Sequence, residues 1–337
     1  MDNLKKLITL PTVSGYEFVG VRAVSDILKE SGAEVSVDKL SNVLAFKNKD
    51  KNFKVILDAH FDTIGLIVTE IKEGGFLKFT TVGGVDPRIL PSLTVTVHGK
   101  QDILGVIGVK PPHLLSGKED KAYETHELFI DTGLSKEELS KIISCGDIVT
   151  FNSCYEELLN GKIAAAGLDD KVGVYIVSEV LKKVKNNNIS LFGAITVGEE
   201  IGLKGAKVIS SISDFDLVIV IDVTHGRTPD SKDEDTFELG KGPVITLSPS
   251  LSKKYNDMLK ECARKNNIEI SVEVEGGNTG TNSWAYHSAR VGNPSVMVSV
   301  PLKYMHTSYE VIDKKDVHSA IELIVKFLDS LEVESNA

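Results

Sequence analysis

The chain has 337 residues, 42% hydrophobic and 26% charged, an ordinary globular composition that excludes disordered and fibrous classes. Its net charge of −10 and pI near 5.4 argue against a nucleic-acid partner, which would be met by a basic surface.

The amino-terminal stretch from Met1 to Pro11 is too short and too broken in apolar character for a signal peptide. The first forty residues read as helix, then strand: residues 18–28 carry apolar side chains at helical spacing that stop near Gly32. Residues 54–57, rich in Val and Ile, fit a strand buried on both faces that ends at Asp58-Ala59-His60. From about residue 67 the texture changes to short alternating segments at 76–82, 93–98 and 103–109, separated by Gly, Pro and Asp. One helical patch falls at 135–143, and this stretch closes near Asn160-Gly161. A helix over 171–184 follows, then strands over 191–197 and 217–221 and a helix over 253–265. Strands over 268–274 and 295–300, a helix over 314–331 and a frayed tail at 332–337 complete the chain.

Strands alternating with helices predict an α/β fold with a mostly parallel sheet covered by helices. The expected division is a catalytic α/β domain from residues 1–66 and 161–337, interrupted by a β-rich insertion at 67–160. No segment is long and apolar enough to span a bilayer, so no membrane partner is expected. Cys145, Cys154 and Cys262 lack CxxC spacing and fit reduced thiols in a cytoplasmic protein.

Open α/β sheets bind ligands beyond the carboxyl ends of their strands. His60, Glu199, Glu200 and Asp222 each follow a predicted strand, and His306 follows one after a short turn. Two imidazoles and several carboxylates form the donor set of a two-cation site that activates water. The His60-x-Asp62 spacing suits an imidazole that passes its second N–H to a carboxylate. Asp169 and Asp170 stand at a helix start, where Asp commonly caps; one can cap while the other bridges two cations, and Asp169 is favoured as the bridge. Glu199-Glu200 offers two neighbouring carboxylates with divided labour, one ligand and one free base. Of the other histidines, only His225 and His287 fall near this edge, and the rest read as structural or surface residues.

Segments along nearly the whole chain resemble the M42 family of dinuclear metallo-aminopeptidases, the glutamyl and tetrahedral aminopeptidase group. They include Ala59-His60-Phe-Asp62-Thr-Ile-Gly65, Gly83-Gly-Val-Asp-Pro-Arg-Ile-Leu-Pro91, Gly105-Val-Ile-Gly-Val-Lys-Pro-Pro-His-Leu-Leu-Ser116 and Leu128-Phe-Ile-Asp-Thr-Gly133. Leu168-Asp-Asp-Lys, Glu199-Glu-Ile-Gly-Leu-Lys-Gly-Ala206, Asp222-Val-Thr-His, Leu239-Gly-Lys-Gly-Pro-Val244 and Pro301-Leu-Lys-Tyr-Met-His-Thr307 continue the match.

The resemblance implies a zinc-peptidase type of fold. One divalent cation would sit on His60, Asp169 and Asp222, and a second on Asp169, Glu200 and His306. Zinc or cobalt is implied, with manganese possible. Glu199 would be the general base for a metal-bridging hydroxide, and Asp62 would orient His60. The insertion would mediate dimerisation, and dimers of this family often build tetrahedral dodecamers, so the expected homo-oligomer ranges from a dimer to a tetrahedral dodecamer. Two departures stand out: Asn282 where the family usually has Asp, expected near the substrate edge, and Lys171 where Arg is common.

The expected activity is removal of the N-terminal residue of short peptides. The alternative with the same ligands is a dinuclear amidohydrolase that deacylates N-acyl amino acids; the insertion and its Pro111-Pro-His-Leu-Leu115 segment favour the peptidase. A glycoside hydrolase fits less well, because that chemistry ordinarily needs two carboxylates and no metal. A catalytically silent scaffold is disfavoured by the complete ligand set. An acidic substrate preference would require a basic group near the site, with Lys303, Arg290 and Lys204 as candidates.

Overall fold

The computed structural model describes residues 1–111, 122–152 and 154–332. The expected frayed tail beyond residue 332 and residues 112–115 of the Pro-Pro-His-Leu-Leu segment lie outside the described residues.

The strands that carry Val and Ile in unbroken runs form the centre of an eight-stranded sheet. In chain order the first strands are β1 (Glu34–Val37), β2 (Val43–Lys47) and β3 (Phe53–His60). Six strands then leave this sheet: β4 (Gly65–Ile71), β5 (Phe76–Val82), β6 (Thr94–His98), β7 (Asp102–Gly108), β8 (Phe129–Asp131) and β9 (Ile148–Phe151). They close into an antiparallel barrel in the order β4-β5-β8-β7-β6-β9, around a core that includes Leu66, Leu77, Val95, Val97 and Ile130.

After the short strands β10 (Glu156–Glu157) and β11 (Lys162–Ala165), the chain returns with β12 (Ile189–Thr196), β13 (Leu217–His225), β14 (Val244–Leu247), β15 (Ser271–Val274) and β16 (Ser295–Leu302). A last strand, β17 (Glu310–Asp313), pairs with β11. The large sheet runs β1-β2-β12-β3-β13-β16-β14-β15. Its centre, β12-β3-β13-β16, is parallel, whereas β2 meets β12 and β14 meets β16 antiparallel. The sheet is therefore mixed, with a parallel middle.

Among the described residues eight α-helices accompany these strands: α1 (Asp2–Ile8), α2 (Val21–Lys29), α3 (Lys136–Ile142), α4 (Leu168–Lys183), α5 (Lys204–Ile212), α6 (Lys253–Lys265), α7 (Ser283–His287) and α8 (Lys314–Asp329). Side chains alternate across the sheet. Val55, Leu57 and Ala59 of β3 and Leu217, Ile219 and Ile221 of β13 face a core built with α4, α6 and α8. Ile56, Val218 and Val220 face the opposite side, against Ala206 and Ile209 of α5 and Ala285 and Tyr286 of α7. Burial on both faces explains why these strands show no polar alternation. No described helix is long and apolar enough to cross a membrane.

The central strands run further than their apolar cores suggest. His60 is the last residue of β3, and Asp222 lies within β13 rather than beyond it. Val220 stands opposite Asp58, so counting on two residues brings Asp222 level with His60. Asp222 and His60 share the α5 and α7 face, two residues beyond Val220 and Asp58.

Candidate metal centre and active site

The carboxyl ends of β3, β12 and β13 supply the floor of the site, and the start of α4 and the turn after β16 close it. Asp169 is the hub: His60 Nε2 lies 3.1 Å from its Oδ1, and His306 Nε2 lies 3.4 Å from its Oδ2. Asp222 Oδ1 is 3.9 Å from His60 Nε2, and Glu200 Oε1 is 3.1 Å from His306 Nε2. Two groups of side chains therefore converge, His60 with Asp169 and Asp222, and Asp169 with Glu200 and His306, each with donor atoms within 4.8 Å of one another.

The Asp pair at the start of α4 divides as its chemistry allows. Asp170 Oδ1 accepts the N–H of Gly173 at 3.0 Å, the usual act of a capping carboxylate, while Asp169 faces the two imidazoles. The space is tight, since a Cβ on Gly173 would stand 2.2 Å from the Asp170 carboxylate.

Asp62 does something broader than orient one imidazole. His60 Nδ1 lies 3.0 Å from the main-chain oxygen of Asp62 and 3.6 Å from its carboxylate, so the direct partner is the carbonyl. The carboxylate instead accepts the N–H of Glu199 at 2.9 Å, the N–H of Glu200 at 3.1 Å and the Ser14 hydroxyl at 2.7 Å. It pins the turn that carries both glutamates. Glu17 accepts the N–H of Gly198 at 2.9 Å, and Asn42 accepts that of Val197 at 3.0 Å, which extends the same restraint backwards.

Glu310, which sequence reasoning passed over, has the matching task on the other side. Its buried carboxylate accepts the N–H of Asp169 at 3.1 Å through Oε2 and that of His306 at 3.0 Å through Oε1. His306 has φ of 60°, a left-handed conformation uncommon outside glycine, and this hydrogen bond helps hold it there. No local pattern marks Glu310, because its partners lie on α4 and in a loop.

Crowding of acids in a buried place sets the electrostatics. Burial pushes the Glu199 carboxyl up to about 8; His60 opposes the shift, while Asp222, Glu200 and Asp62 add to it. Asp222 rises to about 7, chiefly from burial, against the pull of His60. Burial also pushes Asp169 up, but hydrogen bonds with His306 and His60 outweigh it and hold its carboxyl below the ordinary value. Contact with Asp169 and Glu200 raises His306 to about 11. Closely packed carboxylates beside imidazoles are relieved when a divalent cation takes the place of protons. Mixed nitrogen and oxygen donors suit zinc, cobalt or manganese. The residues present fit a metal centre.

Asn282 is buried away from the substrate edge, beneath the site: its Nδ2 donates to Asp58 Oδ1 at 2.7 Å and to Thr196 Oγ1 at 2.8 Å. Tyr286 donates to the other Asp58 oxygen at 2.8 Å. Lys171 is buried, with Nζ donating to the Leu10 carbonyl at 2.7 Å. Burial lowers its ammonium to about 7. Arg290 pairs with Asp214 at 2.7 Å on the surface, and neither it, Lys204 nor Lys303 lines the site cavity. His225 lines that cavity, while His287 lies 6.2 Å from the Trp284 ring, outside it.

A sequence model of the M42 glutamyl aminopeptidase family matches residues 41–323. The chain belongs to the M42 aminopeptidase family. It is 35% identical to the lysyl aminopeptidase of Pyrococcus furiosus, with 98% of this chain and 96% of the relative covered. Among solved structures, an aminopeptidase from the archaeon Desulfurococcus kamchatkensis superposes with a TM-score of 0.92 at 32% identity, covering 98% of this chain and 94% of that one. The Pyrococcus horikoshii TET1 peptidase, described as assembling into a tetrahedron or a large octahedral shell, gives 0.86 at 31% identity, covering 98% and 99%. M42 enzymes are metal-dependent hydrolases, in keeping with the donor groups around Asp169.

Proposed function

We propose that this M42 enzyme removes the N-terminal residue of short peptides with two divalent cations. One would sit on His60, Asp169 and Asp222, and the other on Asp169, Glu200 and His306. The observation that supports this most is Asp169, whose two oxygens face a different imidazole each. When bound, zinc, cobalt or manganese would polarise the scissile carbonyl and make the attacking water more acidic.

The chain's own groups do the rest. Glu199, half-buried and outside both donor groups, takes the proton of the attacking water and passes it to the leaving amine. Asp62 holds Glu199 and Glu200 by their main-chain N–H groups, and Glu310 holds Asp169 and His306 in the same way. The cavity beside them, about 560 Å³, has room for an amino-terminal residue and the peptide bond that follows it.

Residues 1–66 and 161–337 form the catalytic unit in this proposal, and 67–160 form an insertion through which copies associate. The barrel's separate core and the assemblies described for the Pyrococcus horikoshii relative support that division. Cys145, Cys154 and Cys262 are all unpaired, in keeping with the cytoplasmic location proposed.

The test is a panel of unblocked aminoacyl p-nitroanilides and N-acyl amino acids, assayed after chelator treatment and again after zinc, cobalt or manganese is restored. Metal-dependent release from unblocked substrates is expected. Cleavage of N-acyl amino acids alone would replace the aminopeptidase with a deacylase.

A further inference from the structure

The outer wall of the site cavity is built against the usual rule for a strand. Among the described residues β15 pairs only with β14 and forms one edge of the large sheet. Edge strands ordinarily turn apolar side chains inward and polar ones to water. Here Glu273 and Glu275 line the cavity, whereas Val272 and Val274 are exposed on the other face, 43% and 77% respectively. Turning charge inward is costly unless something compensates it.

The inward position of Glu273 is also fixed. Thr224 donates to its Oε1 at 2.7 Å and Thr246 to its Oε2 at 2.8 Å. Both threonines are buried, so the carboxylate is held rigidly while its remaining lone pairs face the cavity. Thr224 follows Asp222 by two residues of β13, on the same face. That step is roughly 7 Å along a strand. Glu273 therefore stands about one long side chain away from the proposed metal ligands.

Two divalent cations would balance Asp169, Glu199, Glu200 and Asp222, leaving Glu273 and Glu275 uncompensated. None of the described residues lining the cavity is Lys or Arg. A negative wall of this kind fits a cation supplied by the ligand.

We propose that Glu273, aided by Glu275, is the specificity-determining group for the substrate's first side chain and selects N-terminal Lys and Arg. The inference rests on the aminopeptidase assignment above and adds its substrate class. The carboxylate pairs with the ammonium or guanidinium end while the α-amino group and scissile carbonyl sit at the metal ligands. Glutamyl substrates meet like charge and are the poorest.

The experiment compares lysyl, arginyl, norleucyl, leucyl and glutamyl p-nitroanilides on the metal-loaded full chain. Norleucine matches the lysine chain but lacks its charge. Lysyl and arginyl substrates are expected to exceed norleucyl by about tenfold or more in kcat/KM, and Glu273→Gln to collapse that ratio by a similar factor, mainly through KM. Calorimetry without turnover should show free L-lysine binding more tightly than L-norleucine, a difference reduced in Glu273→Gln and, to a lesser degree, in Glu275→Gln. If norleucyl, leucyl or glutamyl substrates equal or surpass lysyl ones in the unmodified protein, the inference is overturned while the aminopeptidase assignment stands. If no unblocked substrate is cleaved at all, the assignment itself falls, and this inference with it.

Discussion

The two walls of the active-site cavity are held in different ways. The inner wall rises from β3, β12 and β13, strands with neighbours on both sides, and the groups proposed for cleavage are fixed through main-chain N–H groups bound by Asp62 and Glu310. The outer wall is β15, with one neighbouring strand and a carboxylate held by two threonine hydroxyls. Bond cleavage needs several groups kept in register, so each is restrained from more than one element. Selection of a side chain needs only one charge at about the right distance. The inner wall is thus costly to alter, and the outer wall can be altered residue by residue.

Substitutions should reveal that contrast in order of size. Glu199→Gln is expected to lower kcat by about 10²–10⁴. Metal content measured by elemental analysis should stay as in the parent, and an active variant with its metals in place would remove Glu199 from the base role. Glu310→Gln keeps shape but offers one acceptor where two N–H groups need one each. Metal affinity is expected to weaken about 10–100-fold, as for other groups that orient ligands. Asp62→Ala should act similarly by freeing the Glu199-Glu200 turn; unchanged metal titrations in both variants would break the proposed distinction between the walls.

A fourth change probes the polar cluster beneath the inner wall. Burial already pushes Asp58 up to about 6, against hydrogen bonds from Tyr286 and Asn282 that pull it down. Asn282→Asp would set a second carboxylate in the position of the amide that donates to it at 2.7 Å. The folded pair then keeps a shared proton to higher pH than the unfolded chain, whose carboxylates titrate near 4. More protons are bound in the folded state, so stability falls as pH rises from about 4 through the raised folded pKa, by up to about 1.4 kcal/mol for each pH unit crossed. Thermal melts of parent and variant across that window should diverge as pH rises; parallel curves would sink the idea. The smallest effect belongs to the outer wall: Thr246→Val removes one hydroxyl from Glu273 and should lower the lysyl-to-norleucyl ratio about 2–5-fold. A ratio left unchanged would mean that Thr224 alone suffices.

What could be read from the chain itself follows the same division. Apolar runs announce β3, β12, β13 and β16, and a charged residue at the end of such a run stands out, which is why His60 and Asp222 were visible. Glu310, Asn282 and Glu273 were not placed correctly from pattern, since each owes its position to a partner more than twenty residues away: Asp169, Asp58 and Thr246. Helix α5 escaped notice because it starts directly after Gly202 and Leu203, both with positive φ, where the sequence reads as a turn. The extended reach of β13 past Ile221 was hidden because Asp222 looks like a strand terminator, although its neighbours Val223 and Thr224 continue the ladder with β16.

The barrel's position in the chain has a consequence for how the protein is made. Its six strands find all their partners between Gly65 and Phe151. β3, by contrast, pairs only with β12 and β13, so Val55, Ile56 and Leu57 have no strand beside them until residue 189 has been synthesised. A chain growing from its amino end therefore completes the barrel while the future centre of the sheet is still open on both edges. Val55–Leu57 is the stretch most in need of shelter during that interval, and a ribosome paused anywhere between residues 152 and 189 would hold it exposed.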